Sequence, residues 1–313
     1  MTERNIISDF AFKQGTNSGW KKYGSNPVLG GDYGTFFDIG VIHEDGIYRM
    51  YFSWRPQKSI ALVESRDGIS WSEPVIVLGP RETEQGWEDD LNRPVVVKQG
   101  GKYHMWYTGQ FKPGAADGKS WIFYAISGDG VYFERVSLQP VLSAAEEWEK
   151  AAVMSPNVIW DEREQSYKMW YSGGEQYEPD AIGYATSPDG LAWTKSGMNP
   201  VFSANPEQTW ERHKVAGCQV LYKDGWYTMF YIGYFNEHYA QIGIARSRDG
   251  IASWERHPLN PVIAPDEGQW DGEACYKPYA LFDGKRWLLW YNGRNGAPEQ
   301  IGLAIHDGED LGF

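Results

Sequence analysis

Short apolar runs rich in aromatic and β-branched residues alternate with turns containing Gly, Asp or Asn along the chain. The stretch FFDIGVIHEDGIYRMYFSW, residues 36–54, shows the pattern, because two strand-like runs flank Glu44-Asp45-Gly46. Such runs predict β-strands joined by tight turns, and therefore an all-β fold. Asp38 stands early in the first run, where a core strand would favour an apolar residue.

The same pattern repeats along the sequence. Turns of the form Ser-x-Asp-Gly begin at Ser65, Ser127, Ser187 and Ser247, and a degenerate copy covers residues 306–308. An aromatic strand precedes each turn; these strands are YRMYFSW at 48–54, YHMWYTG at 103–109, YKMWYSG at 167–173, YTMFYIG at 227–233 and WLLWYNG at 287–293. Each unit is expected to contain four short antiparallel strands. Units of this kind predict a five-bladed β-propeller with one unit per blade.

The two ends of the chain complement each other. The fifth unit stops after its third strand, IGLAIH, and residues 20–29 copy the missing fourth strand. We therefore expect the N-terminal strand to complete the last blade and to close the ring, so that no sheet edge stays free. The prediction is a single domain over residues 1–313, with residues 1–19 as an N-terminal extension.

Residues that recur in every unit are interpreted as structural. They include the Asp-Gly turns, in which Asp accepts backbone hydrogen bonds and Gly takes a positive φ, and the pairs of Trp with an acid, such as Trp87-Glu88. The units diverge where their first strands begin, and function concentrates on such variable positions of a rigid scaffold. Aligned first strands place one ring of residues at this face: Asp38, Arg93, Ser155, Gly217 and Lys277. The alternative for Asp38 is an ion pair with Arg93 that closes the central channel.

Composition narrows the choice of partners. The formal net charge of −13 argues against nucleic acid, which needs a basic surface, and fits poorly with an anionic membrane. No apolar run resembles a signal peptide or a membrane span, so a cytoplasmic protein is expected. Cys218 and Cys275 have no metal-site spacing and are expected to be buried and reduced. The 16 Trp and 20 Tyr residues suit a carbohydrate ligand that stacks on aromatic rings.

The five units, the aromatic second strands and Asp38 resemble the five-bladed propeller glycosidases of glycoside hydrolase families 32, 43, 68 and 130. In families 32 and 43 the resemblance implies three carboxylates, and Asp38 matches the first. The stretches that align with the other two are Asn92-Arg93-Pro94 and Met154-Ser155-Pro156, and neither contains an acid.

Cleavage of a glycosidic bond requires a general acid and a second carboxylate. We therefore assign Asp38, Asp90 and Glu273 as candidate catalytic residues. The candidates for binding the sugar combine aromatic, basic and other polar side chains at the same face: Trp54, Asp89, Arg93, Ser155, His213, Tyr234, Tyr276 and Lys277. No cofactor is expected. The resemblance is compatible with a Ca²⁺ ion in the central channel, with His213 as a candidate ligand, but the spacing of residues does not require one.

Three functions stay open at this point. The first is a glycoside hydrolase acting from the end of a small oligosaccharide or glycoside, which a funnel on the propeller axis favours. The second is a glycoside phosphorylase, because basic residues collect where the first strands begin. The same residues could instead bind a uronic acid or neutralise the local acids. The third is a carbohydrate-binding propeller without catalysis.

Overall fold

The computed structural model describes residues 15–82, 84–175 and 179–313 and consists almost entirely of β-strands. The strands are β1 (Trp20–Lys22), β2 (Phe36–Glu44), β3 (Ile47–Trp54), β4 (Ser59–Ser65), β5 (Val75–Leu78), β6 (Asp90–Gln99), β7 (Lys102–Phe111), β8 (Lys119–Ser127), β9 (Glu134–Arg135), β10 (Ala152–Asp161), β11 (Ser166–Gly174), β12 (Pro179–Ser187), β13 (Thr194–Lys195), β14 (Phe202–Ser203), β15 (Lys214–Lys223), β16 (Trp226–Tyr234), β17 (Ala240–Ser247), β18 (Glu255–Arg256), β19 (Ala274–Phe282), β20 (Arg286–Arg294) and β21 (Gln300–Asp307). Single-turn 3₁₀ helices cover Gly31–Tyr33, Arg55–Gln57, Glu147–Glu149 and Thr209–Glu211. The all-β prediction is confirmed.

Each sequence repeat folds as an antiparallel meander. In the first repeat β2 pairs with β3, β3 with β4 and β4 with β5. The later repeats follow the same order, from β6 to β9, from β10 to β13 and from β15 to β18. The fourth strands β9, β13 and β18 contain only two residues each, and the segments that follow them pair again with the third strand, as β14 does with β12.

The N-terminal strand serves the last repeat, as the sequence predicts. Strand β1 pairs antiparallel with β21, next to β20 and β19. It also supplies a cation: Lys22 Nζ lies 2.7 Å from the buried carboxylate of Asp271. In the second, third and fourth repeats the matching acid is bound by a basic residue of the fourth strand, as when Arg135 of β9 binds Glu88 at 2.8 Å. The buried acids next to Trp are therefore structural, and β1 takes the place of the fourth strand in the last repeat.

The Asp-Gly turns are built alike. In the first one the Ser65 hydroxyl accepts a hydrogen bond from the N–H of Gly68, and Asp67 Oδ1 accepts bonds from Ile69 and Ser70. These backbone donors lower the pKa of Asp67 to about 2. The same bonds recur in the turns at 127, 187 and 247, which confirms their structural role.

Neighbouring repeats are joined by buried aromatic side chains. The indole N–H of Trp106 donates to the turn carbonyl of Gly190 in the next repeat, and Trp170 donates to Gly250 in the same way. Trp290 of the last repeat donates to Gly68 of the first, at 2.8 Å. A Cβ at position 68 would lie 2.8 Å from the Trp290 ring, so this contact depends on glycine. The first strands also contact one another in sequence order, and β19 contacts β2.

Two other expectations concern the whole chain. Cys218 and Cys275 are buried and unpaired, as predicted. Among the described residues no helix has the length and apolar character needed to cross a membrane.

Candidate active site

Each first strand carries one β-bulge at the same position. Two residues of that strand face one residue of the next strand, and the first of the two has a positive φ. These first residues, called the bulge residues below, are Asp38 (φ 55°), Arg93 (56°), Ser155 (52°), Gly217 (35°) and Lys277 (50°). Left-handed backbone is costly for non-glycine residues and is concentrated at functional sites.

The bulge residues line one shared cavity of about 170 Å³, together with Tyr234 and Tyr276. The structure therefore brings together the ring that the sequence alignment predicts. It also shows why Asp38 interrupts an apolar strand, because the bulge aims its side chain into the cavity instead of the core.

Side chains of the preceding repeat hold the bulge residues in place. The N–H of Arg93 donates to Ser53 Oγ at 2.8 Å, and Ser155 and Gly217 donate to Thr108 and Ser172 in the same way. The N–H of Asp38 donates to Asn292 Oδ1 of the last repeat at 2.9 Å.

Lys277 departs from this pattern. The aligned residue of the preceding repeat is Ile232, which has no polar atom to accept a hydrogen bond. The Lys277 stem also needs space beside Gly217, because a Cβ at 217 would lie 3.2 Å from Lys277 Cδ.

Asp38 is the buried carboxylate among the bulge residues, with 4% of its surface exposed. Its Oδ2 lies 3.4 Å from Nε of Arg93, and no described residue donates a hydrogen bond to that oxygen. Burial lowers the pKa of Lys277 to about 8, and the Asp38 carboxylate partly opposes this change. The ion pair with Arg93 that the sequence offered as an alternative is present. It leaves Asp38 Oδ2 able to accept a further hydrogen bond.

A second carboxylate, Glu299, lines the same cavity and was not identified from the sequence. It immediately precedes β21 and accepts a hydrogen bond from the Tyr276 hydroxyl. Burial raises the pKa of Glu299, and the nearby charge of Asp38 raises it further, against the effects of Tyr276 and Arg294. The available signal was its position in the loop between β20 and β21, at the face where the first strands begin.

Three further polar residues of the cavity were also missed: Arg55, Gln110 and Arg294. With Arg93 and Lys277, the lining contains four basic side chains and two acidic ones, in a protein whose net charge is strongly negative. The site is therefore locally positive. Arg55, Gln110 and Arg294 lie at the ends of second strands or directly after them, whereas the sequence alignment considered mainly first strands.

Asp90 and Asp89 lie beside this cavity and do not line it. They line an adjacent cavity that shares Arg55 and Pro113 with the first one. Asp90 is buried and interacts with the Asn92 amide at 3.3 Å, and burial raises its pKa. The sequence placed Asp90 next to Asp38 at one funnel mouth, and the structure separates them into neighbouring cavities.

Three other predicted site residues have different surroundings. Glu273 binds the N–H of Gly296 and lies 3.8 Å from Arg294, outside the residues that line the cavity. His213 is exposed, and its backbone N–H donates to the backbone carbonyl of Tyr234. Trp54 packs edge-on against Phe36 and donates its indole N–H to the backbone carbonyl of Tyr33, so its ring has a packing role in the fold. The structure does not bring these three residues to Asp38.

A calcium ion in the central channel stays a prediction from the sequence. Among residues 15–82, 84–175 and 179–313, no group of three or more His, Cys, Asp or Glu side chains could hold a metal. Calcium requires several oxygen ligands, and here two cations flank the Asp38 carboxylate.

Comparison with known proteins agrees with this fold. An uncharacterised protein of Mycobacterium tuberculosis (strain H37Rv) is 28% identical over 84% of this chain and 89% of its own. A 1,2-beta-oligomannan phosphorylase of Thermoanaerobacter sp. (strain X514) is 26% identical over 75% of each chain. The crystal structure of a thermostable family-43 glycoside hydrolase matches with a TM-score of 0.71 and 19% identity, over 91% of this chain and 93% of that one. The family model for glycosyl hydrolases family 43 matches residues 24–307. The chain therefore belongs to glycosyl hydrolases family 43 and is a glycosidase-type enzyme.

Proposed function

We propose that the protein is an exo-acting glycoside hydrolase that cleaves a small oligosaccharide or glycoside in the cavity of the bulge residues. The observation that carries this proposal is the pair of carboxylates, Asp38 and Glu299, in one partly enclosed site. Glycosidic cleavage needs two such groups, one acting as the acid and one as the base or nucleophile.

Glu299 is proposed as the general acid. Burial raises its pKa, which favours the protonated form that an acid needs, and Tyr276 donates a hydrogen bond to its carboxyl group. Asp38 is proposed as the base or nucleophile, since Arg93 and Lys277 place positive charge beside its carboxylate. Proton transfer and displacement by two carboxylates require no cofactor.

The shape of the site supports action at a chain end. The cavity is small and accommodates one terminal unit, whereas the adjacent cavity with Asp89, Asp90 and Lys58 offers room for the leaving group. Arg55 and Pro113 lie between the two and would contact the bond to be cleaved. Asp90 is reassigned on this basis from catalysis to binding of the leaving group.

We also propose that the repeats form the five blades of one propeller and that β1 closes the ring, giving a single domain. The contact of β19 with β2 and the hydrogen bond from Trp290 to Gly68 support closure. In this arrangement the bulge residues surround the axis, and residues 1–14 lie outside the described part of the chain.

The partner is accordingly a carbohydrate. Cytoplasmic localisation and the exclusion of nucleic acid and membranes stay predictions from the sequence.

The test is a release assay over a panel of aryl glycosides and disaccharides, with and without inorganic phosphate. Phosphate-independent turnover that is lost in Asp38→Asn and Glu299→Gln, with unchanged thermal unfolding, is the expected result. Glu273→Gln is the matched control, because this acid lies outside the cavity and should retain most of the wild-type rate. Near-normal turnover by Asp38→Asn would remove Asp38 from the mechanism.

A phosphorylase is the second candidate. The excess of basic over acidic side chains in the cavity favours it, because arginine and lysine bind phosphate well. Turnover that requires phosphate and releases a glycosyl phosphate would establish this activity in place of hydrolysis. Sugar binding without any turnover would instead indicate a propeller that only binds carbohydrate.

A further inference from the structure

Lys277 is a buried cation whose charge no neighbour neutralises directly. Only 5% of its surface is exposed, yet it lines the cavity. Within residues 15–82, 84–175 and 179–313, no hydrogen bond or ion pair reaches its ammonium group. A buried charge without such a partner destabilises the folded protein. An unpaired buried polar group therefore calls for an explanation, and a ligand that supplies the missing partner is one.

The other charges of the cavity do not remove this need. Arg93 is the direct ion-pair partner of Asp38, and Arg294 lies near Glu273. Arg55 stacks on the Phe37 ring, with 4.5 Å between the guanidinium carbon and the ring centroid. None of these basic side chains supplies an anion to Lys277, and the Asp38 carboxylate that acts on it is already paired with Arg93.

We propose that Lys277 binds a carboxylate carried by the sugar itself, so that the substrate class is a glycoside with a terminal uronic acid. This inference rests on the proposed function, because it names the substrate of the same site. The size of the cavity favours a carboxylate attached to the sugar ring over a separate anion, since one small space must hold both the ring and the charge.

Binding should depend on the protonation of Lys277. The titratable and charged groups that face it are Asp38, Arg93 and Cys218, from three different strands. Burial holds its pKa at about 8, so the ammonium form dominates at pH 7 and is lost above pH 8. A bound carboxylate stabilises that form, and uronate affinity should fall as the pH rises through about 8.

Calorimetry with matched pairs of free sugars tests the proposal. The probes are glucuronate, galacturonate and mannuronate, each against its neutral counterpart glucose, galactose or mannose, with inorganic phosphate as a separate titration. The wild-type chain should bind at least one uronate about tenfold or more tighter than its neutral partner, as expected for a charge-assisted hydrogen bond in a buried site. Lys277→Met should lose this preference, whereas the distant, exposed Lys98→Met should behave as wild type.

Each opposite outcome overturns the inference. These outcomes are equal affinity within every pair, absence of uronate binding, a preference that survives in Lys277→Met, and phosphate binding that depends on Lys277 without uronate preference. The comparison of ligands on the wild-type chain decides the question even where the variant does not fold. Asp38-dependent turnover of neutral glycosides alone would refute this inference and leave the hydrolase proposal intact. Uronate binding without any turnover would support this inference and refute the hydrolase proposal.

Discussion

Asn292 links the last repeat to Asp38, the proposed catalytic carboxylate of the first, and removal of its side chain should affect both stability and rate. The side chain is fully buried and makes two hydrogen bonds across this junction. Its Oδ1 accepts from the N–H of Asp38 at 2.9 Å, and its Nδ2 donates to the carbonyl of Phe36 at 3.1 Å. Asn292→Ala leaves both backbone groups without this partner.

The magnitude follows from burial. A buried polar group that loses its partner costs about 1–3 kcal/mol, and two groups do so here, so Asn292→Ala should lower the free energy of unfolding by about 2–6 kcal/mol. Ser172→Ala is the matched control, because Ser172 accepts one equivalent bond from Gly217, which has no side chain to position. The control leaves one group without its partner and should lose about 1–3 kcal/mol, half the loss of Asn292→Ala.

Urea unfolding followed by tryptophan fluorescence gives the stability, and kcat on the best aryl glycoside of the panel gives the function. Asn292→Ala should reduce kcat about tenfold or more because the Asp38 backbone loses its support, whereas Ser172→Ala should not. Asn292→Ser should restore most of the rate, since Ser53 and Ser172 occupy the equivalent position in other repeats. Equal stability losses in the two alanine variants, or wild-type kcat in Asn292→Ala, would refute the reasoning.

Three other outcomes can be measured on the same chain. Glu299→Gln should lower kcat by about a hundredfold or more. Tyr276→Phe should move the high-pH limb of the rate profile to higher pH, because the Tyr276 hydrogen bond lowers the pKa of Glu299. A limb at the same pH would exclude Glu299 as the acid. Gly217→Ala places a Cβ 3.2 Å from Lys277 Cδ and should weaken uronate preference measured by calorimetry, which unchanged affinities would contradict. Asp67→Asn should destabilise the protein at pH 7 in thermal unfolding. This difference should vanish as the pH falls from about 4 to about 2, because the folded-state pKa of Asp67 is lowered to about 2; a gap independent of pH would count against this account.

The repeat carries most of what the sequence predicts. Strand order, turn chemistry and the pairing of β1 with β21 follow from residues that recur, because each copy confirms the interpretation of the others. The ring of bulge residues could be aligned for the same reason.

The rest of the site depends on features without a repeating signal. Asp90 begins its strand and Glu273 precedes its strand, several residues before the bulge, so an alignment of the bulge positions did not show that both lie outside the shared cavity. Glu299 lies before a third strand and occurs in one repeat only, so the alignment of first strands could not identify it. Trp54 looks like a stacking platform in sequence, but it packs against its own neighbours.

The bulges have a consequence for how such an enzyme changes over generations. In four of the five positions the main chain is anchored by a side chain from the neighbouring module, and its shape is the same for an acid, a base, a hydroxyl or no side chain at all. Exchanging the chemistry at the centre therefore requires little change in the surrounding architecture. Single substitutions can therefore add or remove a reactive group at a bulge residue while the residues that anchor the backbone stay the same.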